Sequence, residues 1–247
     1  MRKIVLLYLF CLIRISAVTS QNVINPSNLK VDKAFAFPEK YTMNTFFVSG
    51  SQKIPLGKIH TSLVKTNDNI SITTIFEASN IPGSQYIDST VVNSKNFKPI
   101  HHTSKNPMRE MVFNFGEKIT GYYKVIRTGK VTEISETKFK PVFDSNSYPY
   151  IIRLLPLTEK YTTEISIFDF NPKSKVGIMK VSIIDTKTGE IDFNGEKRKI
   201  WEVKTTSDIS ENKFITTFFI DKLTKKTIKQ ITENEKGQLV MELESLN

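Results

Sequence analysis

Three histidines, one cysteine and 25 carboxylates are the groups with which this chain of 247 residues could do acid–base, metal or nucleophilic chemistry. His101 and His102 are adjacent, so on a strand they point to opposite faces and do not converge on one ion. His60 stands alone. Cys11 lies in an apolar N-terminal run, and without it a zinc site would need carboxylates at no recognisable spacing. No Gly-x-Ser-x-Gly elbow, phosphate loop or dinucleotide fingerprint occurs. The acidic residues are dispersed, with no pair placed for glycoside chemistry. The histidines read as exposed or partly buried strand residues. The expectation is a non-catalytic protein using no metal and no cofactor; a cleft joining two carboxylates, or a histidine and an aspartate, would overturn it.

The more informative side chains are apolar. Tyr148, Ile151, Ile152 and Leu155 fall at i, i+3, i+4 and i+7, the spacing of one helix face. Asp144, Ser145, Asn146 and Ser147 precede them as candidate N-caps, and Pro156 stops the helix after about two turns. Tyr150, Leu154 and Leu157 occupy the other face, where Arg153 is the only charge. A helix near residues 145–155 that is apolar nearly all round must be covered, and a β-sheet is the available cover.

The rest of the chain reads as strand and turn. In Lys118–Ile126, Ile119, Gly121, Tyr123 and Val125 alternate with Lys118, Thr120 and Lys124, a half-buried strand. Gly177–Asp185 alternates in the same way and is followed by a turn over Thr186–Gly189. Asn67-Asp68-Asn69, Pro82-Gly83, Asn106-Pro107 and Asn171-Pro172 punctuate other runs. Asn194-Gly195 is the strongest hairpin signal, because both residues accept the positive φ of a type I′ turn. Connections this short favour antiparallel neighbours. The fold class expected is mainly β: one large antiparallel sheet curled by its twist into a barrel or half-open barrel.

At the N-terminus, Arg2 and Lys3 precede the apolar run Ile4–Ile13, and Val18-Thr19-Ser20 carries small or modest residues. That is the pattern of a signal peptide over residues 1–20, cleaved near Ser20 or Gln21. Residues 21–247 would then form one β domain without a cysteine or a transmembrane span, in the periplasm or otherwise exported. Gln21–Lys33 reads as an arm or first edge segment. The net charge of +10 falls to +7 when Arg2, Lys3 and Arg14 are removed, leaving 32 basic against 25 acidic residues. The lysines are scattered singly along strands, the pattern of a solvated face. Lys197-Arg198-Lys199 is the densest run, and nucleic acid is not an expected partner.

Aromatic residues lie on most strands, among them Phe46, Phe76, Phe113, Phe168, Trp201 and Phe218. They either fill the interior or line an apolar cavity, and sequence leaves both open. Two stretches, Asp88–Ile100 and Phe143-Asp144-Ser145-Asn146, resemble an exported bacterial family classed as a domain of unknown function. A third, Phe219–Gln230 with Leu239–Leu243 after Gly237, is similar to the aromatic-apolar-Asp-Lys-x-Thr hairpin of LolA/LolB-type periplasmic lipoprotein carriers. That similarity implies a half-open antiparallel barrel with an apolar concave side, although such carriers have more helix over the mouth than this chain provides.

The expected function is a binding module for a lipophilic ligand or lipoprotein acyl chain. Tyr148, Ile151, Ile152, Leu155 and Trp201 are its candidate ligand-binding residues. The alternative is a structural or adaptor protein of the cell envelope, with a filled barrel and an exposed edge that binds a protein. A continuous apolar cavity beside residues 148–155 separates the two.

Overall fold

The computed structural model describes residues 23–30, 38–81, 85–137, 140–170, 172 and 177–246. The expected signal peptide over residues 1–20, Cys11 and the expected Pro82-Gly83 turn lie outside them. One sheet of fifteen strands dominates. Its first arm is a meander of β1 (Glu39–Ser49), β2 (Gln52–Thr66), β3 (Asn69–Ala78), β4 (Gln85–Asn93), β5 (Pro99–Lys105), β6 (Arg109–Phe115), β7 (Lys118–Val125) and β8 (Val131–Thr137). A short β9 (Phe143–Asp144), a 3-10 turn (Ser145–Ser147) and the helix α1 (Tyr148–Leu154) follow. The second arm is β10 (Thr163–Phe168), β11 (Ile178–Phe193), β12 (Glu196–Ser207), β13 (Ile215–Asp221), β14 (Thr227–Asn234) and β15 (Gly237–Leu243). The arms join at the centre, where β15 pairs antiparallel with β1 through matches such as Met43 with Leu243.

The turn chemistry works as expected. Asn194 and Gly195 have φ of 54° and 82°, both positive as a type I′ hairpin requires. Asn67 has φ of 52° at the β2–β3 turn. Two glycines let the strands bend closely past one another: a Cβ at Gly57 would lie 2.0 Å from the Glu77 carbonyl oxygen, and one at Gly121 would lie 1.8 Å from that of Val112. Only a residue without a side chain fits there.

One expectation needs correction, and one strand is additional. Thr186–Gly189 does not turn the chain; β11 runs through it, absorbing an irregularity between Ile183 and Asp185. Its partner β12 supplies a continuous ladder that outweighs the turn propensity of one Gly. The strand β8 was not foreseen, because Thr132, Glu133, Ser135 and Glu136 hide its period of two behind polar residues. The expected large antiparallel sheet is present; within it only the two-residue β9 lies parallel to its neighbour β10, and outside the named strands Ile24 bridges parallel to Ile165.

The sheet does not close by backbone hydrogen bonds, since its order runs from β8 at one end to β9 at the other. It closes through side chains. Phe168 of β10 meets Phe113 and Phe115 of β6 edge-on, with ring centroids 5.2 and 5.8 Å apart. The ends of the curl are thereby brought together along an aromatic seam. The helix sits within the curl. Ile151 and Ile152 are fully buried among Leu63, Ile72, Ile165 and Phe218, so α1 fills the interior beside it.

Candidate functional site

Two places concentrate chemistry: a buried polar cluster on the seam, and a groove at the end of α1. The cluster is built where β9 crosses to β4 and β5. Thr90 of β4 donates from its hydroxyl to Asp144 Oδ2 at 2.5 Å, and His102 Nδ1 of β5 lies 3.1 Å from the same oxygen. Asn146 donates from Nδ2 to Thr90 Oγ1 at 3.2 Å. Asp144 also accepts from the Asn146 amide, so of the four candidate caps Asp144 caps the 3-10 turn that leads into α1, and it holds the seam as well. The His102 ring stacks on Phe113, 5.1 Å between centroids.

Electrostatics set the protonation of this cluster. Burial alone would lower the His102 pKa, but the Asp144 carboxylate outweighs it by charge and hydrogen bond, and the imidazole is held above its usual range. Nearby Asp169 is pushed up to about 6 by burial, despite the Phe170 amide that donates to it. His102 Nε2 and Asp144 Oδ1 are buried without a hydrogen-bond partner. In a hydroxyl–imidazole–carboxylate relay the hydroxyl bonds the imidazole nitrogen remote from the acid. Here Thr90 shares the acid's own oxygen, and Nε2 faces the packed interior. The cluster is arranged to hold β9 against β4 and β5.

His101 faces the other side of β5 and pairs with Asn114 at 2.9 Å, as strand alternation requires. His60 does not stand alone: Thr42 Oγ1 lies 3.0 Å from its Nδ1, and Glu77 lies 3.5 Å from its Nε2. Among the described residues no group of three His, Cys, Asp or Glu could hold a metal ion.

The groove measures about 970 Å³, at the upper end of the range for pockets that hold one ligand. Leu154, Leu155 and Pro156 form one wall, where Pro156 ends α1 and the backbone turns extended at Leu155. Ile24 and Leu29 come from the N-terminal segment, and Leu223 from the β13–β14 turn. That turn is set by Asp221, whose Oδ1 accepts from the amides of Leu223 and Thr224 and from the Thr224 hydroxyl. The polar floor is Arg153. Its guanidinium donates through Nη2 to both carboxylate oxygens of Glu39, at 3.1 and 2.9 Å, and through Nε to the Lys225 carbonyl. One side chain therefore ties the helix to the first strand and to the turn.

Of the five residues expected to bind ligand, only Leu155 lines this groove. Ile151 and Ile152 belong to the filled core. Tyr148 lies edge-on to Phe218 and borders a small pocket of about 190 Å³; burial pushes its hydroxyl up to about 12. Trp201 packs against the core from β12, its ring covered by Lys222 Nζ at 3.6 Å from the centroid. The helix spacing finds the buried stripe, whereas the groove opens at the helix's C-terminal end. In the sequence Arg153 stands out only as the lone charge on an apolar helix, and that isolation is the signal available for it. Asp144 and His102 are 42 residues apart and carry no local signature of their meeting. Arg198, from the densest basic run, donates to Asp221 at 2.8 Å, so the central cation of that run is engaged within the fold.

With the geometry in place, comparison adds a lineage. No curated protein matches the chain. Among solved structures, a β-barrel-like protein of domain of unknown function DUF1849 from Brucella abortus is similar, with a TM-score of 0.57 at 10% identity. The match covers 83% of this chain and 95% of that one, and at such low identity it speaks to the fold alone: a barrel-like curled sheet. The family model described as "Protein of unknown function (DUF3108)" matches residues 40–244, from the start of β1 to just past β15, and the chain belongs to that family.

Proposed function

We propose that the protein is an exported, non-catalytic binding module for a lipophilic ligand, and that the ligand lies in the groove at the end of α1. The observation that carries this reading is the groove itself: a large concavity walled by Leu154, Leu155, Ile24, Leu29 and Leu223 beside a packed interior. The ligand is thus held at the mouth of the barrel and not inside it. Each methylene buried there contributes about 0.8 kcal/mol, so an acyl chain needs few polar contacts to bind usefully.

Native mass spectrometry of the purified full chain, before and after incubation with a long-chain fatty acid, tests the reading. A defined adduct of one ligand per chain is expected. Leu223 is 83% exposed, so Leu223→Asp leaves folding intact while placing a charge on the apolar wall. It should weaken the adduct about 10-fold, the equivalent of one lost apolar contact. An unchanged apo mass across fatty acids and phospholipids sinks the proposal.

A second reading, a structural or adaptor protein of the envelope, rests on the filled interior and on β8. This terminal strand pairs with β7 on one side only, and five of its seven residues are exposed. Such an edge is able to accept a partner strand. It becomes the favoured reading if the groove binds nothing.

A further inference from the structure

The charges around the groove are one-sided. Arg153, Lys30, Lys40, Lys225 and Lys226 line it, and among the described lining residues Glu39 is the only carboxylate. Glu39 is consumed by Arg153, whose guanidinium it meets at 2.9 Å beneath the surface. Lys226 Nζ donates to the Leu246 carbonyl at 2.7 Å. Lys30, Lys40 and Lys225 are exposed at the rim, and they come from three separate segments that the fold gathers around one apolar concavity. A groove evolved for a neutral lipid has no use for that convergence.

We infer that the ligand is an acyl chain ending in an anionic group, a fatty-acid carboxylate, with the chain along Leu154, Leu155 and Leu223 and the head met by Lys30, Lys40 and Lys225. The inference rests on the groove being the binding site. In this division the chain supplies affinity and the lysines supply selection, because ion pairs at an exposed rim are individually weak and act through their sum. Selection by the rim should also be screened by salt, whose Debye length is about 10 Å at 0.1 M.

The test compares two probes of equal chain length, palmitate and the neutral monoacylglycerol monopalmitin, titrated into delipidated full-length protein by calorimetry. Palmitate is expected to bind about 10-fold more tightly at low salt, with the advantage shrinking as salt is raised. The triple variant Lys30→Glu, Lys40→Glu, Lys225→Glu should lose that advantage and keep its monopalmitin affinity within about 2-fold. These three residues are exposed, so the variant is expected to fold; an unchanged thermal midpoint checks it. Equal affinity for both probes in the unaltered protein overturns the headgroup assignment and leaves the groove standing. Persistence of the preference in a folded triple variant overturns it too. Binding of neither probe overturns the groove reading and this inference together.

Discussion

Replacing Arg153 with methionine is expected to cost about 3–5 kcal/mol of folding stability, read as a fall in the urea midpoint. The side chains of Arg153 and Glu39 are 3% and 5% exposed. Removing the cation strands a carboxylate that has left water, which is the expensive way to break a buried pair. The loss should extend beyond α1, because the same guanidinium donates to the Lys225 carbonyl in the β13–β14 turn. The companion Arg153→Met with Glu39→Leu should recover most of the loss, since two apolar residues leave no charge to desolvate. A single variant that loses less than about 1 kcal/mol, the level of an exposed pair, would show that the pair is solvated and not a floor of the groove. So would a double variant no more stable than the single one.

The second large effect is at the seam. Asp144→Ala should destabilise the fold by about 3 kcal/mol, because it removes the shared acceptor of Thr90 and His102 in a fully buried site. The same cluster gives stability a direction in pH. The pKa of His102 is higher in the folded state than in the unfolded chain, so its contribution is complete below about 6.5 and is lost as pH rises through the folded value. Asp169, raised to about 6, acts with the same sign: its carboxyl favours the fold while protonated, and that advantage is lost as pH climbs from about 3.8 to about 6. Against these stand Asp221 and Glu242, held below the usual carboxylate range despite partial burial by Arg198 and by Lys53 with Lys229. Their contributions are lost on acidification. Maximum stability is therefore expected in mild acid, above the range where Asp221 and Glu242 take up protons, with a decline that begins as Asp169 ionises on the way to about pH 6 and continues as His102 loses its proton. In Asp144→Asn the decline due to His102 should flatten. Denaturation midpoints at mildly acidic and mildly alkaline pH measure this; an unaltered slope in the variant would remove His102 and Asp144 from the account.

These expectations mark what could be read from the chain and what could not. The helix was legible because Tyr148, Ile151, Ile152 and Leu155 repeat at its period and Pro156 ends it within a few residues. The Asn194-Gly195 hairpin was legible because the turn needs backbone angles that few residues accept. Both signals are local. The strand β8 was missed because an edge strand carries polar residues on both faces and loses the alternation by which strands are recognised. The groove was missed because its lining runs from Ile24 to Leu246. Only the strand pairing brings those residues together. The meeting of His102 with Asp144 is of the same kind, a product of how far the sheet curls before its ends touch. The helix stripe showed which residues are buried, and burial by itself did not distinguish core from ligand contact.

The pairing of β1 with β15 at the middle of the sheet has a consequence for assembly. Each arm is a run of neighbours in sequence, β1 to β8 in one and β10 to β15 in the other. Either is able to zip from local hairpins at little loop-closure cost. The ladder between Met43 and Leu243 is different: it spans nearly the whole domain, carries the largest loop-closure cost and is expected to form last. During synthesis the free edge of β1 must wait, unpaired, until the final strand emerges, and in that interval it is the surface most open to mispairing. Joining the chain's two ends and opening it between Thr137 and Val142 would abolish the wait. In that permuted order every strand from β9 through β15 and then β1 through β8 would follow its neighbour in sequence, and the same sheet could be laid down in a single direction.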